Sequence, residues 1–350
     1  MRVRLFLLPT AALLSPAKNW TFVGAGGCDV SDDECHTPSL PFSHQIVALH
    51  QDRQESTNVT TGGTPSWLHI NGDRSCLFAA LTNVSKVASY EIVDGALVGP
   101  KSVLPSGGKY PVKLDTVNRL GGLLLVANYG GPTDGASVTS MTIGEVCKCC
   151  LVHADTMRFN RSSVDPQRQL SSHIHTVVVG TIAMADAQVY AADLGGDAIY
   201  RLSVHLRSPP GSLRLQETTP VEPRGSGPRH LAVGGSYDHR VLYVVHEMAN
   251  AVSVHKANAT GPLREVQRLR TVPGSASLPA CVGFSARMMA AASTSERARA
   301  HAPPACSKAA EIALTHHGSS LYVSNRGYGT ALTNTIAGYA VGADGLLTLT

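Results

Sequence analysis

The sequence predicts an all-β chain of repeated four-stranded antiparallel units, and three observations carry this. One strand motif returns about every 50 residues. Its copies alternate small or apolar with polar residues at period two, as half-buried strands do. The turn formers, Gly 33 and Pro 20 in 350 residues, are spread evenly along the chain, which suits many short strands better than long helices.

The units can be followed in order. A divergent first copy runs from Trp20-Thr-Phe-Val23 through His44-Gln-Ile-Val-Ala-Leu49. The second strand of each later copy is the clearest element: Cys76–Leu81, Leu123–Asn128, Gln188–Asp193, Val241–His246 and Ser320–Asn325. Third strands follow at Val87–Ile92, Ala198–Leu202, Ala251–His255 and Thr335–Ala340. That spacing fits the four-stranded blade of a β-propeller, with six blades visible. The propeller is expected to occupy 19–350. Two intervals are overlong, and the excess is read as inserted loops at about 144–170 and 273–306.

Residues 1–18 are read as a leader. A basic start, an apolar stretch and small residues at Ser15-Pro16-Ala17 outline a secretory signal, although Pro9 interrupts it. Asn-x-Ser/Thr sites at Asn19, Asn58, Asn83, Asn160 and Asn258 accord with secretion. Cys147-Lys-Cys149-Cys150 is a thiol-bearing loop, with disulfides expected if the chain is secreted, and no Cys/His spacing marks a zinc site.

Composition excludes several classes of function. Lys+Arg 29 against Asp+Glu 25 leaves +4, too small an excess for a protein that works by neutralising nucleic-acid phosphates. Hydrophobic residues at 43% supply a core, and no run of about 18 apolar residues offers a membrane span.

The geometry of a propeller localises a site. The first strand of each blade is innermost, and its start lies at the same mouth as the end of the second. Aligning Pro65-Ser-Trp-Leu, Pro111-Val-Lys-Leu, His173-Ile-His-Thr, Pro228-Arg-His-Leu and Ala309-Ala-Glu-Ile gives a third column of Trp67, Lys113, His175, His230 and Glu311. Tyr129, Glu247 and Arg326 follow second strands at that mouth. Convergent polar groups there form the expected pocket.

Several joined motifs resemble the seven-bladed lactonase family, which holds propeller-type 6-phosphogluconolactonases and carboxy-cis,cis-muconate cyclases. They are Pro105-Ser-Gly-Gly108 with Val126–Gly131, His173-Ile-His175 with Ala192–Gly195, Gly227-Pro-Arg-His-Leu231 with Tyr243–Glu247, and Ala309–Ile312 with Tyr322–Gly327. The resemblance implies seven blades, one more than is visible. It singles out His175, Arg229, Glu247 and Arg326 as catalytic, while the aligned strands give Lys113, His230, Glu311 and Tyr129 as the substrate-binding set. Arginines suit an anionic lactone, and His175 or Glu247 suits a general base. His246 stands where the family usually has Asn.

The expectation is a hydrolase opening a sugar lactone such as 6-phosphogluconolactone, needing no metal or cofactor. Its partner is a small anionic substrate, with neither nucleic acid nor membrane span. The alternatives are a carboxymuconate cycloisomerase and a non-catalytic propeller that binds a ligand. The family points to the cytoplasm, and the leader and sequons to secretion.

Overall fold

The computed structural model describes residues 13–15, 20–25, 44–50, 56–118, 122–131, 134–144, 146–235, 239–258, 261–272, 306–328 and 334–350. These residues form six four-stranded sheets, each an antiparallel meander in chain order. The first holds β1 (Leu13–Ser15), β2 (Trp20–Ala25), β3 (Gln45–His50) and β4 (Ser56–Thr60), and the second β5 (Pro65–Ile70), β6 (Cys76–Leu81), β7 (Lys86–Val93) and β8 (Ala96–Pro105). The third comprises β9 (Pro111–Val117), β10 (Leu123–Asn128), β11 (Ala136–Ile143) and β12 (Leu151–Phe159). The fourth comprises β13 (Ile174–Ile182), β14 (Asp186–Asp193), β15 (Ala198–His205) and β16 (Leu213–Pro220). The fifth runs β17 (Pro228–Gly235), β18 (His239–His246), β19 (Ala251–Asn258) and β20 (Arg264–Arg270). The sixth runs β21 (Cys306–Leu314), β22 (Ser320–Tyr328), β23 (Thr335–Val341) and β24 (Leu347–Leu349). The fold is a β-propeller, and no described helix is long and apolar enough to cross a membrane.

The core is divided among the seams between blades. Side chains alternate across a strand, so Leu124 and Val126 of β10 pack towards the second blade with Phe78 and Leu114. Leu123, Leu125 and Ala127 face the fourth blade, with Val189 and Leu202. A second strand is covered on both faces, which is why Cys76–Leu81 and Leu123–Asn128 are buried throughout. First strands pack in sequence, β5 on β9, β9 on β13, β13 on β17 and β17 on β21, so their starts converge on one mouth.

Two parts of the sequence reading change. Of the 144–170 span read as an inserted loop, Leu151–Phe159 is the fourth strand of its blade, paired with β11 from Ala136↔Phe159 to Ile143↔Leu151. An outer strand is covered on one side only, so its polar sequence lacks the apolar signature of inner strands. Leu13–Ser15, within the span read as a leader, pairs with Trp20–Phe22 in the first sheet. The 273–306 insert lies outside the described residues except for Cys306, which opens β21.

The cysteine cluster is oxidised. Cys76 is bonded to Cys149 across the seam between the second and third blades, at a sequence separation of 73, and Cys147 is bonded to Cys150. Closing so long a loop restricts the unfolded chain, and about 4 kcal/mol is expected from chain entropy. Urea unfolding of the double variant Cys76→Ala/Cys149→Ala should show a loss approaching that size. An unchanged midpoint would mean that the seam gains nothing from the bond.

Candidate active site

A repeated irregularity shapes the mouth. At the start of each described inner strand from the second blade onward, the register with its neighbour slips. Pro228 pairs with His246 and His230 with Val245, leaving Arg229 as an extra residue; Ile174 pairs with Asp193 and Thr176 with Ala192, leaving His175. In the sixth blade, Ala310 and Glu311 fall between the paired Ala309 and Ile312. A bulge bends a strand and re-aims its side chains, so the slips put His175, Arg229 and Glu311 at the mouth. The register also corrects the alignment of the fourth blade. Ile174 rather than His173 occupies the first column, so His175 corresponds to Arg229, one step nearer the mouth than Lys113 and His230. The cause is Asp193, whose Oδ1 accepts the His173 N–H at 2.7 Å and holds that residue just ahead of the strand.

Two linked networks result. In the first, Glu311 Oε2 lies 2.9 Å from His230 Nδ1, and His230 Nε2 lies 3.2 Å from His175 Nδ1. Lys113 Nζ sits 3.8 Å from the Trp67 ring centroid and 3.7 Å from Glu311 Oε1. The Tyr129 ring stacks on His173 at 4.1 Å and meets His175 edge-on at 5.5 Å. In the second network, Glu247 is ringed by guanidiniums. Arg229 Nε and Arg326 Nη2 lie 2.8 and 2.9 Å from its Oε2, and Arg168 Nη2 lies 3.0 Å from its Oε1. Arg229 and His230 are consecutive in β17, which joins the two networks.

All eight residues expected from sequence therefore meet at one mouth. Lys113, Tyr129, His175, Arg229, His230 and Glu247 are buried there, and Glu311 and Arg326 are half-buried. Sequence reasoning missed Arg168 and Lys308. Arg168 belongs to a 160–173 loop fastened by its own side chains. Asp165 Oδ1 accepts the N–H groups of Gln167 and Arg168 at 2.9 and 2.8 Å, and Gln169 Nε2 donates to Leu194 O at 2.9 Å. A Cβ on Gly195 would collide with the Ser171 carbonyl oxygen, so glycine lets the loop lie this close. Asp197 ties the loop to the approach to β17, accepting from Ser163 Oγ at 2.5 Å and from the Gly227 N–H at 2.7 Å. Gly227 has φ +61°, and a Cβ there would crowd Met248.

The protonation states follow from burial and charge. Burial favours the neutral acid at Glu247, but Arg168, Arg326, Arg229 and Lys308 override it and hold the carboxyl well below the usual range. Burial acts the same way at Glu311 and is overcome by His230, Lys113 and Arg229. Burial, with Arg229 and His230, pushes His175 well below the ordinary imidazole value. Burial takes His230 down to about 4 despite Glu311 beside it. At neutral pH both imidazoles are neutral and both carboxyls ionised. A carboxylate can only accept, so His230 carries its proton on Nδ1 and accepts at Nε2 from His175 Nδ1–H. His175 Nε2 is left with a lone pair. Five cations, Lys113, Arg168, Arg229, Lys308 and Arg326, surround two carboxylates, so the mouth is net positive.

Relatives are consistent with this architecture. A Pseudomonas aeruginosa periplasmic gluconolactonase superposes with a TM-score of 0.66 at 22% identity, covering 95% of this chain and 81% of that one. A Lactobacillus plantarum protein does so at 0.67 and 23%, over 95% and 81%. An uncharacterized Staphylococcus epidermidis protein is 30% identical over 163 residues, 46% of this chain, and the match spans only 36% of that relative's length. At these identities the solved structures attest the fold. The model for the family described as lactonase, seven-bladed β-propeller, matches residues 47–350, and the chain belongs to that family.

Proposed function

We propose that the protein hydrolyses an anionic sugar lactone, with 6-phosphoglucono-1,5-lactone the leading substrate, and that His175 is the general base. The observation that carries this reading is the Glu311–His230–His175 chain abutting the arginine-ringed Glu247 at one mouth. The net positive charge suits a phosphate or carboxylate, which guanidinium recognises through paired N–H donors. Family membership and the similar Pseudomonas aeruginosa structure, a gluconolactonase, agree in reaction class.

In this mechanism Arg229 and Arg326 hold the substrate anion and stabilise negative charge growing on the lactone carbonyl oxygen as water adds. His175 Nε2 takes the proton of that water and returns it to the ring oxygen as the ester bond breaks, giving the open hydroxy acid. The positive charge gained by His175 is shared with His230 and countered by Glu311. Glu247 is less suited as the base, since guanidiniums occupy both its oxygens, Arg168 at Oε1 and Arg229 and Arg326 at Oε2. Its part is to fix Arg229 and Arg326.

The test is proton release in a weakly buffered indicator assay, with 6-phosphoglucono-1,5-lactone and the unphosphorylated lactone compared. His175→Asn should lower kcat by about 10²- to 10⁴-fold with KM little changed, the usual range for losing a general base. Arg326→Ala should raise KM more for the phosphorylated lactone. Because His175 titrates well below 6.5, kcat should stay level as pH falls from 8 through 6.5. Wild-type protein no faster than the spontaneous reaction would end this reading.

A further inference from the structure

At the face opposite the mouth, the turn joining β11 to β12 holds three half-cystines of two disulfides. The two bonds differ in setting. Cys76 and Cys149 are 2% and 1% exposed and lie in the seam with Phe78, Leu114, Val126 and Leu151. Cys147 stands exposed beside exposed Lys148, while its partner Cys150 is 9% exposed. The bonds also differ in what they hold. Cys76–Cys149 closes a long loop between blades, whereas Cys147 and Cys150 are three residues apart. Backbone bonds already fasten that turn, Cys150 N to Cys147 O at 2.9 Å and Gly144 N to Cys150 O at 2.8 Å. A bond that closes a short, otherwise fastened turn constrains the unfolded chain little, so the fold does not depend on it.

We infer that Cys147–Cys150 is a thiol–disulfide exchange site for a small-molecule thiol, set beside a structural disulfide that the same thiol does not reach. Access requires an exposed sulfur for in-line attack, and only Cys147 of the four is exposed. The thiolate of the incoming molecule attacks Cys147 Sγ, a mixed disulfide forms, and Cys150 leaves as a thiolate. A second thiol molecule then attacks the mixed disulfide, releasing the external disulfide and leaving Cys147 as a thiol. Two external thiols thus lose two electrons and the protein pair gains two, with Cys150 taking its proton from water.

The experiment equilibrates native, full-length protein in buffers of increasing reduced-to-oxidised glutathione ratio, traps thiols with N-ethylmaleimide and maps them by mass spectrometry without reduction. Labels should appear on Cys147 and Cys150 at ratios that leave the Cys76–Cys149 peptide linked. Appearance of all four thiols together, or of none before the protein unfolds, overturns the proposal. A second arm uses Cys150→Ser, whose Cys147 should trap glutathione as a stable adduct in the intact mass. No adduct on a variant with unchanged thermal unfolding also overturns it. Neither arm depends on lactone turnover.

Discussion

Replacing Glu247 with Gln should cost about 3 to 5 kcal/mol of folding stability, the range for breaking a buried ion pair from one side, and should reduce lactone turnover by at least about 10²-fold. The reason is arithmetic of charge. Glu247 is 2% exposed and is contacted by Arg168, Arg229 and Arg326 together. Gln keeps the shape and removes the charge, so three guanidiniums repel one another in a poorly solvated place. Turnover falls because Arg229 and Arg326 lose the carboxylate that sets their positions. Urea unfolding and the lactone assay read the two effects separately. The double variant Glu247→Gln/Arg168→Gln should recover part of the stability, because it removes one of the three guanidiniums that Glu247 holds together. If it loses at least the sum of the two single effects, the guanidiniums are not held against mutual repulsion by Glu247. Arg168→Gln alone should disturb turnover less, since Oε2 keeps both Arg229 and Arg326.

The blades were legible because the second-strand motif returns about every 50 residues. The period-two alternation of these strands predicts half-burial, whereas the structure buries Leu123–Asn128 and Cys76–Leu81 throughout. The mouth was legible because the start of a first strand and the end of a second must share one end of a meander. Two things were not written locally. A bulge is a matter of pairing, so the one-residue offset between His175 and His230 emerges only when Ile174 is seen opposite Asp193. Arg168 arrives on a loop whose course is set by Asp165, Gln169 and Asp197, contacts that follow neither the strand nor the helix period. Glu311 and His230 read as members of one polar column, but the hydrogen bonds that join them to His175 emerge only in the structure.

Acid should unfold this protein earlier than its modest net charge suggests. Six histidines, His69, His173, His175, His230, His246 and His255, are all pushed below the ordinary imidazole value, with burial the largest cause in each. For His173, His230 and His255 the folded value is about 4. A folded pKa below the unfolded one means that the unfolded chain binds more protons between the two. Stability is therefore fully present above about pH 6.5 and is lost as pH falls towards 4. Each such group contributes a slope of about 1.4 kcal/mol per pH unit. Six together would remove about 8 kcal/mol per unit at most, enough to exhaust a typical stability of about 5–15 kcal/mol within two units. Glu247 and Glu311, held ionised by their cations, add a further loss below their unfolded values. Urea unfolding followed by tryptophan fluorescence at steps from pH 7.5 to 4.5 measures the slope, and a level profile would mean that the imidazoles are not buried neutral. His246 supplies an internal control. Its Nε2 meets Ser253 Oγ at 2.7 Å, and the same hydroxyl meets His255 Nε2 at 2.8 Å. At the corresponding strand ends, Asn128 and Asn325 do structural work by donating to the carbonyl oxygens of Ser106 and Thr271. His246→Asn puts the residue of those blades into the fifth one and removes a titrating group. It should flatten the profile by about 1.4 kcal/mol per pH unit, the share of one histidine.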